Sequence, residues 1–261
     1  MTASEVLPKA RRLVVKVGSS SISGENVGQI ETLVETLAAA HERGVEVILV
    51  SSGAMATAYP FLGFPGRPDD LASLQASAAV GQSVLMWRYQ NALDNYKILA
   101  GQVLLTSSDM ENAVSRDNAK RAMDRLLELR VLPIVNENDA VATYEIRFGD
   151  NDRLAALVAE LVQADALVLL SDVDAIYTKP PHLEGAERIS RVASPEDLEG
   201  VHIGSTGVAG VGTGGAGTKV AAAEHAAAAG TATLITATPL LAEALAGADI
   251  GTWFPARRIS S

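Results

Sequence analysis

Cysteine is absent from the 261 residues, which excludes disulfides and thiolate metal sites and makes a reducing compartment the simplest expectation. Histidine is scarce, with only His41, His182, His202 and His225. His41 and His225 fall in helical patterns, and none has metal-ligand spacing such as H-E-x-x-H. "VSSGAM" around Ser52 is not the G-x-S-x-G nucleophile elbow, so a hydrolase triad is not expected. Basic excess is missing too. The net charge of −10 argues against non-specific binding to nucleic acid or anionic membranes, since both require basic surface to displace counterions. No apolar run approaches a membrane span, and the opening "MTASEVLPKARR" lacks an apolar signal region. A soluble, cytoplasmic protein is expected.

What is present is a hydrophobic content of 48%, enough to bury a substantial core as one large α/β unit or two lobes. Short β-branched runs at 12–17, 45–50, 98–106, 131–135, 166–170 and 232–236 read as strands. Between the first two, Ile30, Leu33, Val34, Leu37, Ala38 and His41 recur at helical spacing, with Gly44 as a stop signal. Similar helices are expected over 70–95, 112–130, 151–163 and 217–229. Near-continuous apolar strands separated by helices predict a mostly parallel sheet covered on both faces, a three-layer α/β/α sandwich. The loosest region, about 178–217, is rich in Gly, Pro and Ser.

Polar residues follow the strands directly: "GSSS" after "VVKV", "SSG" after "VILV", "NEND" after "LPIV" and "SDVD" after "LVLL". Short polar loops follow strands in many proteins. In open α/β sheets, however, ligands bind outside the carboxyl ends of the strands, so these loops predict one rim lined by 18–21, 51–53, 136–139 and 171–174. Lys16 lies inside the apolar "VVKVG". Either it snorkels from an edge strand or it places an amine at the pocket.

"FGDNDRLAAL" (148–157) sets Asp150, Asn151 and Asp152 at a helix start. An N-cap accounts for one of them; together they suit lysine or metal partners, or an anion at the helix start. "GVGTGGAGTKV" (210–220) is rich in glycine. As a Walker loop it fails, because Thr218 precedes Lys219 where Lys-Thr is required. As a dinucleotide fingerprint it lacks the leading strand and the later acid.

Taken in order, "VVKVGSSS", "VSSGAM", "AAVGQ", "GQVLLT", "RDNA", "PIVNENDAVATYEIRFGDNDRLAALVA", "LVLLSDVDAIYT" and "GTGGAGTK" resemble the glutamate 5-kinases of the amino-acid-kinase family over nearly the whole chain. The resemblance implies an N-terminal amino-acid-binding lobe at about 1–165 and a C-terminal ATP-binding lobe at about 166–261. It implies ATP with Mg²⁺ carried on the phosphates, no protein-built metal site, small-molecule partners, and a homo-oligomer, dimer or tetramer. By the same resemblance Ser52, Asn136, Asp139 and Asn151 contact the amino acid, with Asp150 close by. Ser171, Asp172, Thr213, Gly214, Gly215, Ala216, Gly217, Thr218 and Lys219 match nucleotide positions. Lys16 and Lys219 look like the two lysines that neutralise the transferring phosphoryl group, and Asp152 like the aspartate that orients them.

Some residues depart from the pattern. Ala58, Tyr59 and Pro60 replace a small-residue stretch with a glycine and charges, in what is expected to be a loop near the amino acid. Tyr144 and Ala216 are milder changes. Many relatives carry a C-terminal domain called PUA; these residues end at Ser261, just past the kinase fold, and that domain is expected to be lacking. Two further readings stand beside the leading one: a sibling kinase for a modified or carrier-bound glutamate or another small carboxylate, and a non-catalytic sensor of nucleotide or amino acid.

Overall fold

Residues 12–16 alternate sides along a strand, and that alternation sets the architecture. In the computed structural model, which describes residues 1–141, 151–201 and 215–257, strand β1 (Arg12–Lys16) pairs in parallel with β2 (Glu46–Val50) on one side and with β5 (Ala166–Ser171) on the other. It is therefore central. Leu13, Val15 and Val17 join one buried cluster and Val14 joins a second on the opposite face, as period-two side chains require.

The other strands are β3 (Ala100–Leu105), β4 (Leu132–Glu137), β6 (Ile176–Tyr177), β7 (Arg188–Ile189), β8 (Ala232–Ala237) and β9 (Thr252–Phe254). The main sheet runs β3-β4-β2-β1-β5-β8-β9. All its pairings are parallel except β8 with β9. The helices are α1 (Ala3–Val6), α2 (Gln29–Glu42), α3 (Ala54–Leu62), α4 (Leu71–Asp94), α5 (Ser107–Glu111), α6 (Ala113–Glu128), α7 (Asn151–Leu161), α8 (Ala216–Ala228) and α9 (Leu241–Leu245).

Apolar residues of α2, α4 and α9 pack on one sheet face, and those of α6, α7 and α8 on the other. The split follows from handedness. Connections that step from β1 to β2 and from β2 towards β3 move one way along the sheet; those through α6, α7 and α8 move the other way, and right-handed crossovers then need opposite faces. The three-layer sandwich expected from the sequence is the observed fold.

Pro133 sits in β4, an interior strand, where a missing N–H is normally costly. Leu132 N donates to Leu99 O on the β3 side, so position 133 faces β2. There the β2–β4 pairing begins only at Leu49 with Ile134, and the ladder starts after the proline.

Two elements differ from expectation. Ala58, Tyr59 and Pro60, expected in a loop, lie instead within helix α3. The helix is only nine residues long, and Pro60 near its end removes a single rung. Gly53, at φ +86°, turns the chain from β2 into this helix. The antiparallel β6–β7 hairpin and edge strand β9 were not anticipated, because runs of two or three residues carry no periodicity.

Gly81 lets α4 lie against α3. A Cβ there would stand 1.7 Å from Ala54 O and 3.2 Å from Ala58 Cβ. Backbone cannot yield as a side chain can, so Gly81→Ala is expected to cost about 1–3 kcal/mol. In a thermal melt this should appear as a midpoint lower by about 3–10 °C.

Candidate active site

The four polar loops meet on the carboxyl rim, at the point where connections leave β1 and β5 in opposite directions. Ser20 Oγ, after β1, donates to Asp172 Oδ1 at 2.8 Å, after β5. On the other side of β1, Asn151 Nδ2, in the first turn of α7, donates at 2.9 Å to Ser51 O, Ser52 Oγ and Asn136 Oδ1. Ser51 itself turns inward, its hydroxyl 2.8 Å from that of Tyr89, which leaves Ser52 as the serine of this loop near the cleft.

Lys16 shares the face of Val14 and so points into the α7–α8 layer. It is 4% exposed, and its Nζ lies 2.7 Å from Asp152 Oδ1. This excludes the snorkelling reading, which required an edge strand and a solvated head. Lys219, one turn into α8, places its Nζ 3.1 Å from Asp152 Oδ2, and the Thr218 hydroxyl donates to the same oxygen at 2.9 Å.

Residues as far apart in sequence as Lys16 and Lys219 are thus assembled around one carboxylate. Burial alone would raise the Asp152 carboxyl pKa, but the Lys16 and Lys219 ammonium groups and the Thr218 hydrogen bond outweigh it and hold it below the usual range. Asp152 and both lysines are each less than a tenth exposed. Two ammonium groups and one carboxylate leave one net positive charge, in a buried site flanked by the N-termini of α7 and α8. Such an arrangement attracts an anion.

The second cluster is built from amides. Asn136 Nδ2 donates to Gln82 Oε1 at 2.9 Å, and Asn136 Oδ1 also accepts from Glu137 N at 2.8 Å. Asp139, in the turn 139–141 against α4, is buried. Burial first, then the neighbouring Glu137, push its carboxyl up to about 7, with Arg67 pulling the other way. Tyr59 of α3 is pushed up by burial and feels both Arg67 and Asp139. The altered segment at 58–60 therefore lies beside this cluster, as helix rather than loop.

Among the sequence-identified residues, Lys16, Asp152, Thr218 and Lys219 form one group, and Ser52, Asn136 and Asn151 are linked by hydrogen bonds, with Asp139 in the adjoining turn. Asp172 joins the β1 loop through Ser20, and Ser171 ends β5. Gly215, Ala216 and Gly217 open α8. Asp150, Thr213, Gly214 and Tyr144 lie outside the described residues.

Sequence reasoning assigned no part to Gln82, Tyr89 or Arg67. Only Gln82 had a signal, as the residue after a mid-helix glycine in "AAVGQ".

The sequence model of the amino acid kinase family matches residues 11–237. The chain belongs to the amino acid kinase family. Within it, the chain is 68% identical to a glutamate 5-kinase of Leifsonia xyli subsp. xyli, over 94% of this chain and 91% of that protein. It is 67% identical to a glutamate 5-kinase of Clavibacter sepedonicus, over 98% and 99%. One from Streptomyces coelicolor is 53% identical, over 97% of this chain and 69% of that longer protein.

The fold is also similar to that of solved structures of low identity. Carbamate kinase from Giardia lamblia bound to AMP-PNP superposes with TM-score 0.68 at 18% identity, over 96% of this chain and all of that one. UMP kinase from Bacillus anthracis gives TM-score 0.60 at 14% identity, over 95% and 97%.

Proposed function

We infer that the chain transfers the γ-phosphoryl group of ATP to the γ-carboxylate of L-glutamate, giving L-glutamyl 5-phosphate, the first step of proline biosynthesis. The observation that carries this is the buried Lys16–Asp152–Lys219 group, in a chain 68% identical to a glutamate 5-kinase over 91% of that protein.

A γ-carboxylate with a reference pKa of about 4.3 is already ionised at neutral pH, so it needs no general base. The chemistry therefore requires no histidine base. The obstacle is bringing one anion to another, and fixed positive charge removes it. Lys16 reaches the transferring group from the N-terminal lobe, about 1–165, and Lys219 from the C-terminal lobe, about 166–261. Asp152 holds both at a fixed separation.

Magnesium, when bound, neutralises the phosphate oxygens. Asp152 already faces Lys16, Lys219 and the Thr218 hydroxyl, so the ion would be carried on the nucleotide phosphates. Ser171, Asp172 and the segment 213–219 are assigned to ATP, and Ser52, Asn136, Asp139, Asp150 and Asn151 to glutamate. A sensor would gain nothing from two lysines balanced on one acid, since binding alone does not call for charge that grows in importance at the transition state. A homo-oligomer of cytoplasmic location accompanies this proposal.

Hydroxylamine trapping with ATP, Mg²⁺ and a panel of carboxylates is the test. Hydroxamate from free L-glutamate supports the reading; turnover only with another acceptor, or none with any, overturns it.

Asp139 adds a pH signature. Its raised pKa of about 7 means that it becomes largely protonated as pH falls below 7 and then cannot hold the substrate ammonium. kcat/KM for glutamate should therefore rise with pH, up to about tenfold per unit, and level off above about 7. Asp139→Asn should abolish that inflection. The sign for stability is opposite. In the ligand-free protein the folded state binds the extra proton between the reference value of 3.8 and about 7, so this group's contribution declines as pH rises through that window.

A further inference from the structure

The amide cluster has its polarity fixed by backbone at both ends. Glu137 N–H can only donate, so the atom of Asn136 facing it at 2.8 Å is Oδ1. The Nδ2 of Asn136 then faces Gln82, whose Oε1 accepts it at 2.9 Å. Ser51 C=O can only accept, so Asn151 presents Nδ2 there at 2.9 Å. No free choice of amide orientation remains.

Two buried polar atoms follow without a hydrogen-bond partner among the described residues: Gln82 Nε2, a donor, and Asn151 Oδ1, an acceptor. Asp139 Oδ1 is a third, also an acceptor. Gln82 is 7% exposed. A donor stranded at that depth is costly unless something fills it.

The order of the cluster says what fills it. Asp152, with its two lysines, adjoins Asn151; Asn151 contacts Asn136; Asn136 contacts Gln82. Gln82 is thus the end of the chain remote from the phosphoryl-transfer group, where the part of the amino acid away from the reacting carboxylate belongs. That part carries one cation and one anion. The unpartnered acceptors, Asp139 Oδ1 and Asn151 Oδ1, suit an ammonium, whereas the unpartnered donor suits a carboxylate. Helix α4 packs against both α3 and the 139–141 turn, and Gly81 permits the close approach to α3 that sets Gln82 in place.

We propose that Gln82 is a substrate-binding, specificity-determining residue, whose Nε2 donates to the α-carboxylate of the amino acid. This rests on the glutamate-kinase reading above. The wild-type hydroxamate assay tests that reading separately: absence of wild-type turnover refutes it, whereas the variants below are judged against measured wild-type activity.

Gln82→Met keeps the length and removes both polar atoms. It is expected to raise KM for L-glutamate about ten- to a hundredfold, the range for a lost hydrogen bond to a charged group. KM for ATP should stay within about twofold. Two competitive inhibitors separate contact from mere positioning. Glutarate keeps the second carboxylate without the amine, and 4-aminobutyrate keeps the amine without the α-carboxylate. The inhibition constant for glutarate should rise with KM, and that for 4-aminobutyrate should stay near wild type.

Gln82→Glu, assayed at pH 9 where the new side chain is ionised, still accepts from Asn136 but opposes a carboxylate. It should show the same glutamate defect, and it serves also if the Met variant does not fold. Equal weakening of both inhibitors, or a Gln82→Glu protein with wild-type KM at pH 9, would overturn the proposal and leave Gln82 as support for Asn136.

Discussion

Lys16→Ala and Lys219→Ala are each expected to lower kcat about 10²- to 10³-fold while the protein stays folded. The magnitude is that of removing one preorganised donor from a site where charge develops in the transition state. Folding survives because Asp152 keeps a partner in either case. Without Lys16 it retains Lys219 at 3.1 Å and Thr218 at 2.9 Å; without Lys219 it retains Lys16 at 2.7 Å.

Arginine should not restore activity at position 16. A planar guanidinium does not fit a slot in which the ammonium is 4% exposed and points along β1 into the α7–α8 layer. Steady-state kinetics with circular dichroism on the same preparations make the check. A kcat within a few-fold of wild type for either alanine variant would remove the lysine from the chemistry.

Asp152→Asn has a different expected result, because it damages both stability and rate. The neutral amide leaves two buried ammonium groups facing each other without a counter-charge. Breaking a buried pair by removing one partner costs about 3–5 kcal/mol, so the thermal midpoint should fall by on the order of ten degrees. An anion bound between the lysines would supply the missing charge, so ATP should recover a larger share of the midpoint in the variant than in wild type.

In wild type the lowered Asp152 pKa means that its contribution is present above the unfolded carboxylate value. It is lost only as pH falls below about 4 towards the folded value. Asp152→Asn with an unchanged melt would show that the three charges are not coupled as the geometry implies.

The sheet was legible in the sequence because its strands are buried on both faces and so appear as apolar runs, with amphipathic helices between them. The helix expected at 70–95 is observed at Leu71–Asp94, and that expected at 151–163 at Asn151–Leu161. The rim was legible from chemistry, since polar loops directly after apolar strands mark carboxyl ends.

The position of Lys16 was not. Whether it lies at an edge or in the centre depends on the order of strands, which pairing decides and local sequence does not. Segment 54–62 was obscured by Pro60 and by the glycines that follow, all of which signal a turn. Gln82 was hidden because a polar residue in a long helix reads as solvated surface. Only the close packing at Gly81 and the link to Asn136 reveal it as buried. The grouping of Lys219 with Lys16 came from resemblance alone, because 203 positions of chain separate them and no local pattern relates them.

The central claim is that a glutamate carboxylate, not water, attacks the γ-phosphorus of ATP between Lys16 and Lys219. Glutamate labelled with heavy oxygen in its γ-carboxylate tests it directly. Hydroxylamine attacks the carbonyl carbon of the acyl phosphate, so the phosphate it releases keeps the bridging oxygen. Mass spectrometry of that phosphate should find one labelled oxygen per molecule, in step with the hydroxamate formed. Phosphate released without label would mean transfer to water, and would contradict the account.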